Sequence, residues 1–114
     1  MTGVTAAAVD RSSGSFEIAA GADGNSWVRG SLTFATARRA RAEGLEKFRQ
    51  YGARAYEVDC SGIAVSDSAG LSVLLDWLAL AKRDGRSVRY VNLPEGLLAI
   101  AKISEVEELL QKGV

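Results

Sequence analysis

The sequence has no histidine, one cysteine and one proline, and its 14 basic side chains are matched by 14 acidic ones. Each shortage closes a class of function. A lone thiol, Cys60, excludes an internal disulfide, and without histidine the commonest zinc ligands are missing, so neither a metal nor another cofactor is expected. The cancelled charge leaves no global field to draw the chain onto nucleic acid or anionic lipid. No uninterrupted apolar run approaches the roughly 20 residues that cross a bilayer. Met1 to Asp10 offers no basic region ahead of a strong apolar one, so no secretory signal is read there. These observations predict a cytoplasmic protein without direct membrane insertion. A G-x-x-x-x-G-K-[ST] run is also missing, so nucleotide hydrolysis would have to belong to a partner.

What remains is an ordinary globular composition, 47% apolar and 25% charged over 114 residues, enough for one core. Residues 1–15 are small and polar, ending in Ser12-Ser13-Gly14-Ser15, and read as a flexible tail ahead of a single domain over 16–114. Phe16 to Ala20 and Ser26 to Leu32 are β-type runs joined by Gly21-Ala22-Asp23-Gly24-Asn25, a hairpin. From Thr33 to Gln50 good helix formers dominate, with Phe34, Ala37, Arg41, Leu45 and Phe48 at helical spacing, and Gly52 closes that helix. Ala55 to Cys60 reads as an interior strand reached by a right-handed crossover. A helix over Gly70 to Arg83, a strand over Ser87 to Asn92 and a helix over Pro94 to Ile103 follow. Ser104-Glu105-Val106-Glu107 has the form of a capping box opening a last helix. The order ββαβαβαα predicts an α/β domain, a mixed sheet of four to five strands covered by helices.

The most informative stretch is Asp59-Cys60-Ser61-Gly62-Ile63-Ala64-Val65-Ser66-Asp67-Ser68-Ala69-Gly70-Leu71, read as strand, loop and helix start. Composition alone explains it by capping, since Ser66, Asp67 or Ser68 can each accept a hydrogen bond from amides of the first helical turn. The helix that follows is apolar over an arc of roughly 220°, about twice what a surface helix buries. Leu71, Leu74, Leu75 and Leu78 suit the sheet. That leaves Val73, Trp77 and Leu80 on an edge facing either a neighbouring helix or another protein. Tryptophan is enriched at interface hot spots, so the edge and the Ser66–Gly70 loop (Ser66, Asp67, Ser68, Ala69, Gly70) are expected to form one docking surface.

The pattern Asp-x-Ser, five residues, Asp-Ser-Ala-Gly-Leu, followed by an apolar helix, resembles the STAS domain family. The resemblance covers residues 16–110, with its core from Asp59 to Gly85. It implies a non-catalytic STAS domain that binds a partner protein. One branch it resembles is the STAS subunit (MlaB-like) of the phospholipid-trafficking ABC transporter that maintains outer-membrane lipid asymmetry. There the hydroxyl residue matching Ser68 lies at the contact with the ABC-type ATPase subunit, in a complex with an inner-membrane permease. The stretch from Val91 to Ser104 looks more like this branch. The other branch is the anti-sigma factor antagonists, in which the residue matching Ser68 is phosphorylated by a kinase-like anti-sigma factor. In either case a phosphoryl group on Ser68 would add about −1.5 to −2 charges beside Asp67 and repel an apolar or acidic partner.

Other signals have plainer readings. Residues 29–54 carry Arg29, Arg38, Arg39, Arg41, Lys47, Arg49 and Arg54 against Glu43 and Glu46, which suits a solvated helix face first and contact with phosphates or lipid head groups second. Asp59 and Asp67 have no histidine or basic neighbour in the motif to build an acid/base pair, and Cys60 beside Asp59 reads as a small buried thiol.

Overall fold

The structure, a computed structural model, describes residues 15–112. The stretch 1–15 therefore lies, except for Ser15, outside the described residues. In chain order the elements are β1 (Phe16–Ala20), β2 (Asn25–Leu32), α1 (Ala37–Tyr51), β3 (Ala55–Ser66), α2 (Ser68–Arg83), β4 (Ser87–Val91), α3 (Glu95–Ile103) and α4 (Glu107–Lys112), the expected ββαβαβαα. The strands form one four-stranded sheet, β1-β2-β3-β4. The hairpin β1/β2 is antiparallel and the β2/β3 and β3/β4 pairs are parallel, so β3 is interior as its helix-flanked position predicts. In the hairpin turn Gly24 takes φ +87°, and its carbonyl accepts the Glu57 N–H at 2.8 Å, tying the turn to β3.

Strand alternation divides the sheet into two faces. Phe16, Ile18, Val28, Tyr56, Val58, Val88 and Tyr90 are buried with the helices in a single core. On the opposite face Glu17, Arg29, Glu57 and Arg89 are exposed; Glu57 pairs with Arg89, and the Arg29 guanidinium lies 4.0 Å from the Trp27 ring centre. Helices thus cover one face, and the other is solvated, as the antiparallel edge permits.

Three of the departures from the sequence reading have a clear local reason. Strand β3 continues past Cys60 to Ser66, absorbing two bulges. The ladder with β2 steps from Trp27/Asp59 to Arg29/Gly62 and from Gly30/Ile63 to Ser31/Val65, so β3 carries an extra residue at each step. At Gly62 the Val28 carbonyl and the Arg29 side chain pack too closely for a Cβ. Helix α1 starts at Ala37, not Thr33, because buried Thr36 closes the preceding residues into a turn. Its hydroxyl donates to the Ser31 carbonyl (2.8 Å) and accepts the Thr33 N–H (3.0 Å). The capping box at Ser104 does not form: the Ser104 N–H donates to Ile100 at the end of α3. Glu105 takes φ +61°, and α4 opens at Glu107 so that Leu110 is fully buried.

A larger correction concerns α2. Val73 and Trp77 were expected on an accessible edge; both are buried, Trp77 completely. Helix α1 occupies that edge. Its Ala40, Gly44 and Phe48 face inward, the small Gly44 admits the indole, and Phe48 meets the ring edge-on at 5.8 Å with an interplanar angle of 89°. The indole Nε1–H donates to the Arg41 carbonyl at 3.3 Å, and Phe16 closes a third side at 6.4 Å. The second apolar face of α2 is thus satisfied within the chain, and only Leu80 of the three edge residues stays half-buried.

Candidate functional site

The two bulges carry β3 to Ser66, which pairs with Leu32 at the end of β2, and deliver the next residue, Asp67, to the N-terminus of α2. The predicted loop therefore shrinks to one extended residue between strand and helix. Asp67 (φ −144°, ψ −171°) is the N-cap, resolving the choice among Ser66, Asp67 and Ser68 that composition left open. Its Oδ1 accepts the N–H of Ala69 (2.9 Å) and of Gly70 (3.1 Å), and its carbonyl accepts Leu71. Its Oδ2 reaches across the fold to the Phe34 N–H at 3.0 Å. One carboxylate thus fastens the β2–α1 turn to the start of α2. Gly70 completes the join, since a Cβ there would overlap the Leu32 carbonyl.

Ser68 stands on this base as the first residue of α2, with its side chain exposed and no hydrogen bond to another described residue. Ser66, Asp67 and Ala69 are half-buried and Gly70 is buried, so they shape the surface while Ser68 presents itself. Phe34, 85% exposed, is tied to this helix start through its N–H bond to Asp67, and Val65, 48% exposed, precedes it near the end of β3. Beyond Ala69 a shallow groove of about 370 Å³ runs between α1 and α2, lined by Ala37, Arg38, Arg41, Ser72, Val73 and Asp76. Arg41 and Asp76 bridge the helices at 3.1 Å; Arg38 makes no ion pair among the described residues. Phe34, Val65 and Arg38 are not read as site residues from the sequence. Phe34 fits the helical spacing of α1 and so reads as core, although the Thr33 and Thr36 hydroxyls flanking it signal a turn.

The arrangement presents a hydroxyl. No side chain among the described residues bonds to Ser68 as a general base would. Asp59 and Asp67 do not form a carboxylate pair. Asp59 lies level with Trp27 and Val91 in the middle of the sheet, where the Ser61 N–H (3.0 Å) and the Asn92 amide (3.1 Å) hold its carboxyl below the usual range. Cys60 is fully buried, and burial first, then the Asp59 charge, push its thiol up to about 12. No group of His, Cys, Asp or Glu that could hold a metal occurs among the described residues, and none of their helices is long and apolar enough to cross a membrane.

A family model described as "Mlab, STAS domain" matches residues 20–111. The fold is similar to that of the anti-sigma factor antagonist SpoIIAA in its unphosphorylated form. That likeness has a TM-score of 0.65 and 14% identity, and covers 82% of this chain and 84% of that one. It is also similar to part of SLC26A9 (TM-score 0.62, 18% identity, 75% of this chain), of which it spans 16%. At these identities the likeness is one of fold. No curated protein matches the chain.

Proposed function

Because the chain belongs to the STAS domain family, in its MlaB-type group, we propose that it is a non-catalytic subunit docking onto the ATPase of an ABC transporter that moves phospholipid to maintain outer-membrane lipid asymmetry. In this reading the ATPase performs the chemistry and a permease in the same complex spans the membrane. This chain is cytoplasmic and reaches the inner membrane only through its partner. It stabilises or regulates the ATPase.

The observation that carries the reading is the presentation of Ser68. An exposed hydroxyl with no hydrogen bond to another described residue sits on a backbone fastened by Asp67 and Gly70. A surface ordered before contact loses little conformational entropy on binding, which favours docking. The contact centres on Ser68, with Ser66, Asp67 and Ala69 around it, half-buried Leu80 farther along α2 and the groove between α1 and α2 beside them; buried Gly70 shapes the backbone beneath, buried Val73 reaches the surface only as lining of that groove, and Trp77 leaves the set because α1 covers it. Co-purification from the native host with an ABC-type ATPase and its permease is the expected result. Ser68→Asp is expected to weaken that association and Ser68→Ala to alter it less, since the added charge faces a desolvated contact. Equal binding by wild type and both variants would overturn the Ser68 contact.

The same exposed hydroxyl supports a second reading, an anti-sigma factor antagonist controlled by phosphorylation of Ser68. A kinase-like anti-sigma factor in the pull-down in place of the ATPase would establish it.

A further inference from the structure

Phe34 is a large apolar side chain left outside the core on a turn whose backbone is firmly held. It is 85% exposed, yet hydrogen bonds fix the turn that carries it on every side. The Phe34 N–H donates to Asp67, Ala35 N–H to the Thr33 hydroxyl (3.3 Å), Thr33 N–H to the Thr36 hydroxyl, and that hydroxyl donates on to the Ser31 carbonyl. Ile103 is as exposed, but it ends α3 and has no tie to Ser68. Phe34 shares its fastening, the Asp67 carboxylate, with the helix start that bears Ser68.

We propose that Phe34 is the anchor of the docking surface, inserting into an apolar pocket of the ATPase edged by a carboxylate that meets Arg38. The proposal rests on the docking reading above and names what that partner must offer. Interface energy concentrates in a few rigid aromatic anchors, and Phe34 is the exposed aromatic nearest Ser68 by its hydrogen-bonded connection. Charge selects the pocket's rim. Arg39 is paired with Glu43 and Arg41 with Asp76, whereas Arg38, at the mouth of the groove beside Ala69, has no acidic partner among the described residues and is exposed. An acidic group on the partner would pair it, and like-charged rims would be rejected. Asp67 is a positioning residue, holding anchor and Ser68 at fixed separation.

The test is the affinity of the full chain for the purified ATPase subunit. Phe34→Ala is expected to weaken binding about tenfold or more, Phe34→Leu to recover much of it, and Arg38→Glu to weaken it roughly fivefold, most at low salt. Thermal unfolding of Phe34→Ala should match wild type, because the side chain contributes little to the folded core. If Phe34→Ala binds like wild type while Ser68→Asp loses affinity, the anchor is refuted and the Ser68 contact stands. If neither variant loses affinity, or if wild type does not bind the ATPase, the docking reading falls and the anchor with it.

Discussion

Replacing glycine by alanine inside a helix ordinarily stabilises a protein by about 1 kcal/mol, because alanine loses less backbone entropy on folding. At Gly44 the sign should reverse. A Cβ built there overlaps Cε2, Nε1 and Cζ2 of Trp77, and that ring cannot retreat. It is fully buried, held edge-on by Phe48 and flanked by Phe16, and its N–H is bonded to the Arg41 carbonyl on the same helix as Gly44. Forcing a methyl into a filled core costs about 1–3 kcal/mol. Loss of the indole hydrogen bond would add about 1 kcal/mol, and the helix gain subtracts about 1. The net is about 2 kcal/mol of destabilisation, or roughly 10 °C in Tm for a domain of this size. Gly96 in α3 is the internal control: a Cβ there meets nothing within 4 Å, so Gly96→Ala should stabilise by about 0.5 kcal/mol. Urea unfolding followed by tryptophan fluorescence measures both. Adding Trp77→Phe to Gly44→Ala should recover part of the loss, giving a coupling energy of about 1 kcal/mol in the double-mutant cycle. A Gly44→Ala protein as stable as wild type would refute the account of how α1 seals α2.

Asp67→Ala removes the N-cap and the bond to Phe34 together. The expected cost is about 1–2 kcal/mol in thermal unfolding, with faster hydrogen exchange at the Phe34, Ala69 and Gly70 amides. Asp67→Asn should keep most of the cap and recover much of the stability, since asparagine ranks with aspartate at that position. Alkaline pH should destabilise the fold through Cys60. An unfolded thiol ionises near its ordinary value of 9.0, whereas the folded one holds its proton to about 12, so the unfolded state binds fewer protons across that window. Stability is then complete below pH 9 and falls as pH rises toward 12, by up to about 1.4 kcal/mol per unit. Buried Tyr90, raised above its ordinary 10.0 chiefly by burial, adds to the fall at the upper end. Urea midpoints at pH 8 and 10.5 should show it, and Cys60→Ala should flatten the slope; an unchanged slope would refute the assignment. Native Cys60 should also resist alkylation at pH 8 while the urea-unfolded chain reacts.

Local sequence signals determined the element order, the hairpin turn and the helix stop at Gly52, because each depends on residues adjacent in the chain. The Asp59–Leu71 motif likewise placed the exposed Ser68 at a helix start, since capping is read over three residues. What the sequence left open was which side chains meet across the fold. The apolar arc of α2 announced that two faces needed cover, but only the packed structure decided that α1, through Ala40 and Gly44, covers the second and takes Trp77 into the core. Phe34 shows the converse. It matches the helical period of α1, yet Thr36 spends its hydroxyl on Ser31 and Asp67 reaches 33 residues along the chain to hold the turn, leaving the ring outside. Periodicity reports that a residue can be buried; whether a partner surface stands opposite it is a property of three dimensions.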